Sequence, residues 1–122
     1  MARLVRNGET LELALTPLEV LGGLRRGFAV PASAVRSAEV VPRLRRAITG
    51  VRMPGTGWPG KIALGTWRRR GAKDFVAAYG KDPGIVVELQ GQEFARLLVS
   101  SKDEQSLRDL ADDLNRHSGT RS

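Results

Sequence analysis

Gly55, Gly60 and Lys61, in the stretch GTGWPGK, stand at the spacing of a phosphate-binding loop. Such a loop needs a Ser or Thr directly after the lysine to hold magnesium, and a helix whose N-terminus faces the phosphates. Position 62 is Ile, and Pro59 takes one backbone donor out of the cradle. The residues after Lys61 read as strand and not helix, and the βαβ units of a parallel nucleotide-binding sheet are missing. The glycines therefore read as a tight turn feeding a sheet.

The other reactive side chains are equally sparse. The single histidine, His117, falls at the end of a helical stretch, where helix-end electrostatics suits it better than catalysis. No Ser-His-Asp set can assemble around it. The chain has no cysteine, which removes disulfides, thiol nucleophiles and thiolate metal sites together. Asp109, Asp112 and Asp113 share one helix flank and read as a solvated acidic face, and Glu88 and Glu93 flank a turn. The expectation is a protein that is not an enzyme, with no metal site, no cofactor and no evident small-molecule substrate.

What the sequence does concentrate is positive charge. The net charge is +7, and between Arg25 and Lys73 there are twelve Lys or Arg against one acid, Glu39. The rest of the chain holds eight bases and twelve acids. A basic face of this kind attracts acidic lipid headgroups, nucleic acid or acidic proteins. The anion-binding candidates are Arg25, Arg26, Arg43, Arg45, Arg46, Arg52, Lys61, Arg68, Arg69, Arg70 and Lys73. Arg68-Arg69-Arg70 precedes the turn at Gly71, and alternation along a strand sends its members to opposite faces. Trp58, between Gly57 and Pro59, is the candidate exposed aromatic. It could anchor in a partner pocket or at a lipid interface, or fold back over the core edge. Trp67 lies inside a strand and reads as a packing residue.

These side chains need a scaffold. A chain of 122 residues fits one domain, here expected over 1–117 with a disordered tail at 118–122. It can bury roughly two-thirds of its extended surface, enough for one core. Leu11, Leu13 and Leu15 alternate with Thr10, Glu12 and Ala14, as on a half-buried strand. Thr16-Pro17-Leu18-Glu19 has the form of a capping box opening a short helix over 17–21, which Gly22-Gly23 stops. Phe28–Pro31 and Val35–Val41 read as strands, and Pro42 as the start of a helical turn over 43–48. Residues 53–60 form a loop.

Strands follow over Ile62–Arg69, Lys73–Tyr79, Ile85–Gln90 and Ala95–Val99, joined by short turns that predict an antiparallel meander. From Ser101 the grammar becomes helical. Ser101-x-x-Glu104 resembles a capping box, and Leu107, Leu110, Ala111 and Leu114 form an apolar stripe. Glu104 with Arg108, and Asp112 with Arg116, are spaced as ion pairs.

About seven strands and a final amphipathic helix form a mainly β fold. The order resembles that of bacterial pleckstrin-homology-like domains, and in particular a small actinobacterial family of unassigned function. The stretches that carry the likeness are VPASAVRSAEVV, RMPGTGWPGKIALGTW, KDFVAAY and PGIVVELQGQEFARLLVSSKDEQSL. The resemblance implies a partly open antiparallel barrel capped by the C-terminal helix. It implies a non-catalytic binding or adaptor module acting through a protein partner or self-association. The alternative is a peripheral binder of anionic membrane surfaces, with nucleic acid ranked below both. No apolar run approaches the ~20 residues of a membrane span, and Arg6, Asn7, Glu9 and Glu12 interrupt the N-terminal stretch. The expected location is the cytoplasm, free or peripheral at the inner membrane face.

Overall fold

The computed structural model describes residues 3–14, 28–48, 50–52, 62–69 and 71–117. Among the described residues the chain is mainly β, with two open sheets and one C-terminal helix. The short helix expected over 17–21 and the loop expected over 53–60 lie outside the described residues.

The smaller sheet has three strands: β1 (Arg3–Asn7), β2 (Thr10–Ala14) and β3 (Phe28–Pro31), paired antiparallel in that order. Gly8, at φ +64, makes the β1–β2 turn in a conformation that a side chain would strain. A 3-10 turn, Ala32–Ala34, carries the chain into the larger sheet. It is tied to both sides, since Ala32 N donates to Glu9 O at 2.7 Å and Gln90 N donates to Ala34 O at 2.9 Å.

The larger sheet contains β4 (Val35–Val41), β5 (Val51–Arg52), β6 (Ile62–Arg69), β7 (Ala72–Tyr79), β8 (Gly84–Leu89) and β9 (Arg96–Ser100). Its spatial order is β4-β8-β9-β7-β6-β5. β1 and β5 are the two strands beyond the seven expected. The helical turn after Pro42 is present as a 3-10 turn, Leu44–Ala47.

One feature corrects the expected meander. β7 and β8 are consecutive yet do not pair, because β9 lies between them, antiparallel to β8 and parallel to β7. The four residues 80–83 can reach about 13 Å, enough to step over two strand spacings of about 4.8 Å each. Turn residues thus gave the right connection length and the wrong neighbour. The buried Ser100 hydroxyl secures the end of the inserted strand. It accepts from Tyr79 N at 3.0 Å and donates to Ala77 O at 3.2 Å.

The core has two parts, one on each face of the larger sheet. On the inner face Phe75, Ala77, Ile85, Val87, Leu97 and Val99 meet Leu11, Leu13 and Val30 of the smaller sheet. The helix α1 (Glu104–His117) adds Leu107, Ala111 and Leu114, with Leu110 half-buried beside them. On the outer face Val76, Ala78, Val86 and Leu98 lie beneath Leu44 and the partly buried Trp67. Alternation along β7, β8 and β9 therefore buries both faces, as continuous apolar runs require.

α1 starts later than the sequence suggests. Its N-cap is Asp103, whose Oδ1 accepts from Ser106 N at 3.1 Å and whose Oδ2 accepts from the Ser106 hydroxyl at 2.7 Å. Ser101 Oγ accepts instead from Asp103 N at 3.1 Å, so it shapes the turn before the cap. The Glu104–Arg108 pair forms as expected. Arg116 pairs with Asp113 at 3.6 Å rather than with Asp112, because i,i+3 neighbours meet as readily as i,i+4 ones.

The helix lies along the outer edge of β4. The Asn115 side-chain amide accepts from Ala38 N at 3.0 Å and donates to Ala38 O at 2.9 Å. It satisfies edge groups of a strand that, among the described residues, has β8 as its only sheet neighbour. One residue pair back, Arg6 of β1 reaches Asp113 at 3.0 Å and ties the helix to the smaller sheet.

Candidate functional site

The outer face of the larger sheet gathers the charged side chains that strand alternation turns away from the helix. Asp74 shares a face of β7 with Val76 and Ala78, and Arg96 shares a face of β9 with Leu98. Register places Ser37, Glu88, Arg96, Asp74 and Trp67 in one row across five strands. A polar row thus borders the outer apolar cluster.

Asp74 is fully buried. Its Oδ2 accepts from Arg69 Nε at 2.8 Å and from Arg96 Nε and Nη2 at 3.0 and 2.7 Å. Oδ1 is also buried and has no hydrogen-bond partner among the described residues. The hydrogen bond to Asp74 raises the Arg69 pKa above its ordinary value, with partial burial acting against it. Arg96 Nη2 also lies 3.4 Å from Ala47 O, which links the buried carboxylate to the 3-10 turn.

That turn is held from several sides. Leu44 is fully buried and its backbone N donates to Asp82 O at 3.2 Å. Gly84 leaves the space Leu44 occupies, since a Cβ there would stand 2.6 Å from Leu44 Cδ2 and 2.8 Å from Val99 O. Arg43, Arg45 and Arg46 flank the buried leucine and are exposed. Val41, Pro42, Arg43, Arg46 and Ala47 line a groove of about 390 Å³. A second cleft, of about 310 Å³, includes Arg36, Arg69, Glu88 and Arg96 in its lining.

Of the cations expected to bind anions, Arg43 and Arg46 line the groove together, Arg45 belongs to the same 3-10 turn, and Arg69 lies in the second cleft on the same face. Arg68 does not join them. It opposes Lys73 in the register, and Lys73 Nζ lies 5.8 Å from the Phe94 ring centroid and 3.4 Å from Glu93, on the inner-face side. The arginine run is split by strand alternation as expected, with Arg70 outside the described residues. Arg25, Arg26, Trp58 and Lys61 also lie outside them, and only the backbone of Arg52, paired with Trp67, is described.

Sequence reasoning missed Arg36, Asp74 and Arg96. The signal for Asp74 was present: it occupies an outward position of a strand whose other outward residues, Val76 and Ala78, are apolar. Arg96 gave the same signal beside Leu98. Arg36 was hidden by the irregular register between Val35 and Ser37, which strict alternation does not anticipate.

The face is mixed in sign. Glu39 is exposed and sits opposite Val86 in the register, so it stands on the outer face between the turn and the cleft. Glu88 is exposed within the cleft lining. Among the described residues, no three His, Cys, Asp or Glu side chains form a group able to hold a metal ion, and no helix is long and apolar enough to cross a membrane. The chain matches no protein-family model, no curated protein and no solved structure.

Proposed function

We propose that the protein is a non-catalytic adaptor, a pleckstrin-homology-like module that binds a protein partner, including a second copy of itself, through the outer face of its larger sheet. The observation that carries this reading is the alternation of charge on that face. Exposed Arg36, Arg43, Arg45 and Arg46 are interrupted by Glu39 and Glu88. A membrane presents a continuous anionic plane, against which both carboxylates would be repelled and desolvated. A protein surface can place complementary charges one by one, which gives specificity and register. The strand order with its final helix, and the likeness of the quoted stretches to bacterial pleckstrin-homology-like domains, support the module class. A cytoplasmic location belongs to the same proposal.

Cosedimentation tests the reading. The protein should stay in the supernatant with vesicles of phosphatidylcholine and phosphatidylglycerol near physiological ionic strength. Pelleting that fades steeply as salt rises would favour the anionic-membrane alternative instead.

A further inference from the structure

The groove beside the 3-10 turn combines three properties. Part of its lining is apolar, from Val41, Pro42 and Ala47. The rest of its lining among the described residues is two arginines, Arg43 and Arg46. Its frame is fixed by the buried Leu44, by the Leu44 N to Asp82 O bond and by Arg96 at the Ala47 carbonyl. A site held this firmly binds without first ordering itself.

We propose that this groove receives a short acidic segment of another protein, with one apolar side chain entering between Val41, Pro42 and Ala47 and flanking carboxylates meeting Arg43 and Arg46. The inference rests on the adaptor reading and specifies its ligand. Charge complementarity selects an anionic occupant. Planar guanidinium groups take carboxylates in paired hydrogen bonds. The apolar lining adds a requirement that inorganic or headgroup phosphate does not meet. Glu39, on the same face, selects against a uniformly charged polyanion and for one whose charges are spaced.

The probe is a labelled peptide, GSEELEESG, followed by fluorescence anisotropy in low-salt buffer, with two sister peptides. One replaces leucine by glycine, and the other replaces every glutamate by glutamine. The parent should bind, and each sister should be weaker by about fivefold or more. Arg43→Glu/Arg46→Glu should weaken the parent by about tenfold or more, and the milder Arg43→Gln/Arg46→Gln by less. Lys102→Glu, which adds the same kind of charge change away from the groove, should leave binding within about twofold. Circular dichroism of each variant guards against misfolding. Binding indifferent to the leucine, or equal in the reversed-charge variant, overturns the proposal. If no peptide binds but the arginine variants abolish a dimer seen by sedimentation velocity, the peptide proposal falls and the adaptor reading stands through self-association. If no peptide binds and phosphatidylglycerol vesicles capture the protein through the same arginines, both fall.

Discussion

Asp74 is the residue on which the outer face turns. A carboxylate with no exposure is tolerable only because two guanidinium groups meet one of its oxygens. Removing it would strand Arg69 and Arg96 against the sheet. Asp74→Ala should lower stability by about 3 kcal/mol, read from urea unfolding. A much smaller loss would mean that both arginines escape to water. At the helix start, Asp103 offers a pH signature. Hydrogen bonds from Ser106 hold its pKa below the ordinary 3.8. The folded state therefore binds this proton less readily than the unfolded chain. The stabilisation is complete above the ordinary value and disappears as pH falls through the lower, folded one. Asp103→Asn keeps a capping oxygen and loses the titration, so the acid limb of a stability–pH curve should become shallower. An unchanged limb would remove Asp103 from the acid response.

Among the elements, the 3-10 turn, Leu44–Ala47, depends on a single intruding side chain. Leu44→Ala should cost about 2–5 kcal/mol, because the hole is walled by Val76, Val86 and Leu98. Gly84→Ala should also destabilise, by pushing on that leucine and on the Val99 carbonyl. The two substitutions share a cause, so the double variant should lose less than the sum of the singles in urea melts. Full additivity would separate the glycine from the leucine. The elements themselves were largely legible in the sequence. Residues 35–41 and 62–69 have the bounds that apolar, β-branched composition and the flanking turn residues set. Two features were not. The capping pattern pointed to Ser101-x-x-Glu104, whereas the cap is Asp103, whose side chain and not that of Ser101 meets Ser106 in the first turn. The pairing of β9 was hidden because a four-residue link serves a hairpin and a step over one strand equally well. The outer site was obscured for a related reason. Its arginines come from a turn, an irregular strand start and two strands distant in sequence, which only register brings together.

On the scale of the whole molecule, α1 joins the two sheets along one side. Leucines supply the adhesion and Asn115 and Asp113 set the position, one on β4 and the other on β1. Asn115→Leu would withdraw a donor and an acceptor from the β4 edge while keeping side-chain bulk. It should cost about 1–2 kcal/mol in thermal melts and raise concentration-dependent light scattering, since bare strand edges recruit other edges. Retained stability with no added scattering would assign the edge's protection to the rest of the helix. The step of the chain over β9 also sets the order in which the protein can be built. While the ribosome has delivered only the residues up to β8, β7 and β8 have no middle strand to share, and each waits with an incomplete hydrogen-bond ladder. The sheet can close at its centre only once synthesis has passed Ser100, so its emerging form is held open until nearly the last strand residue arrives.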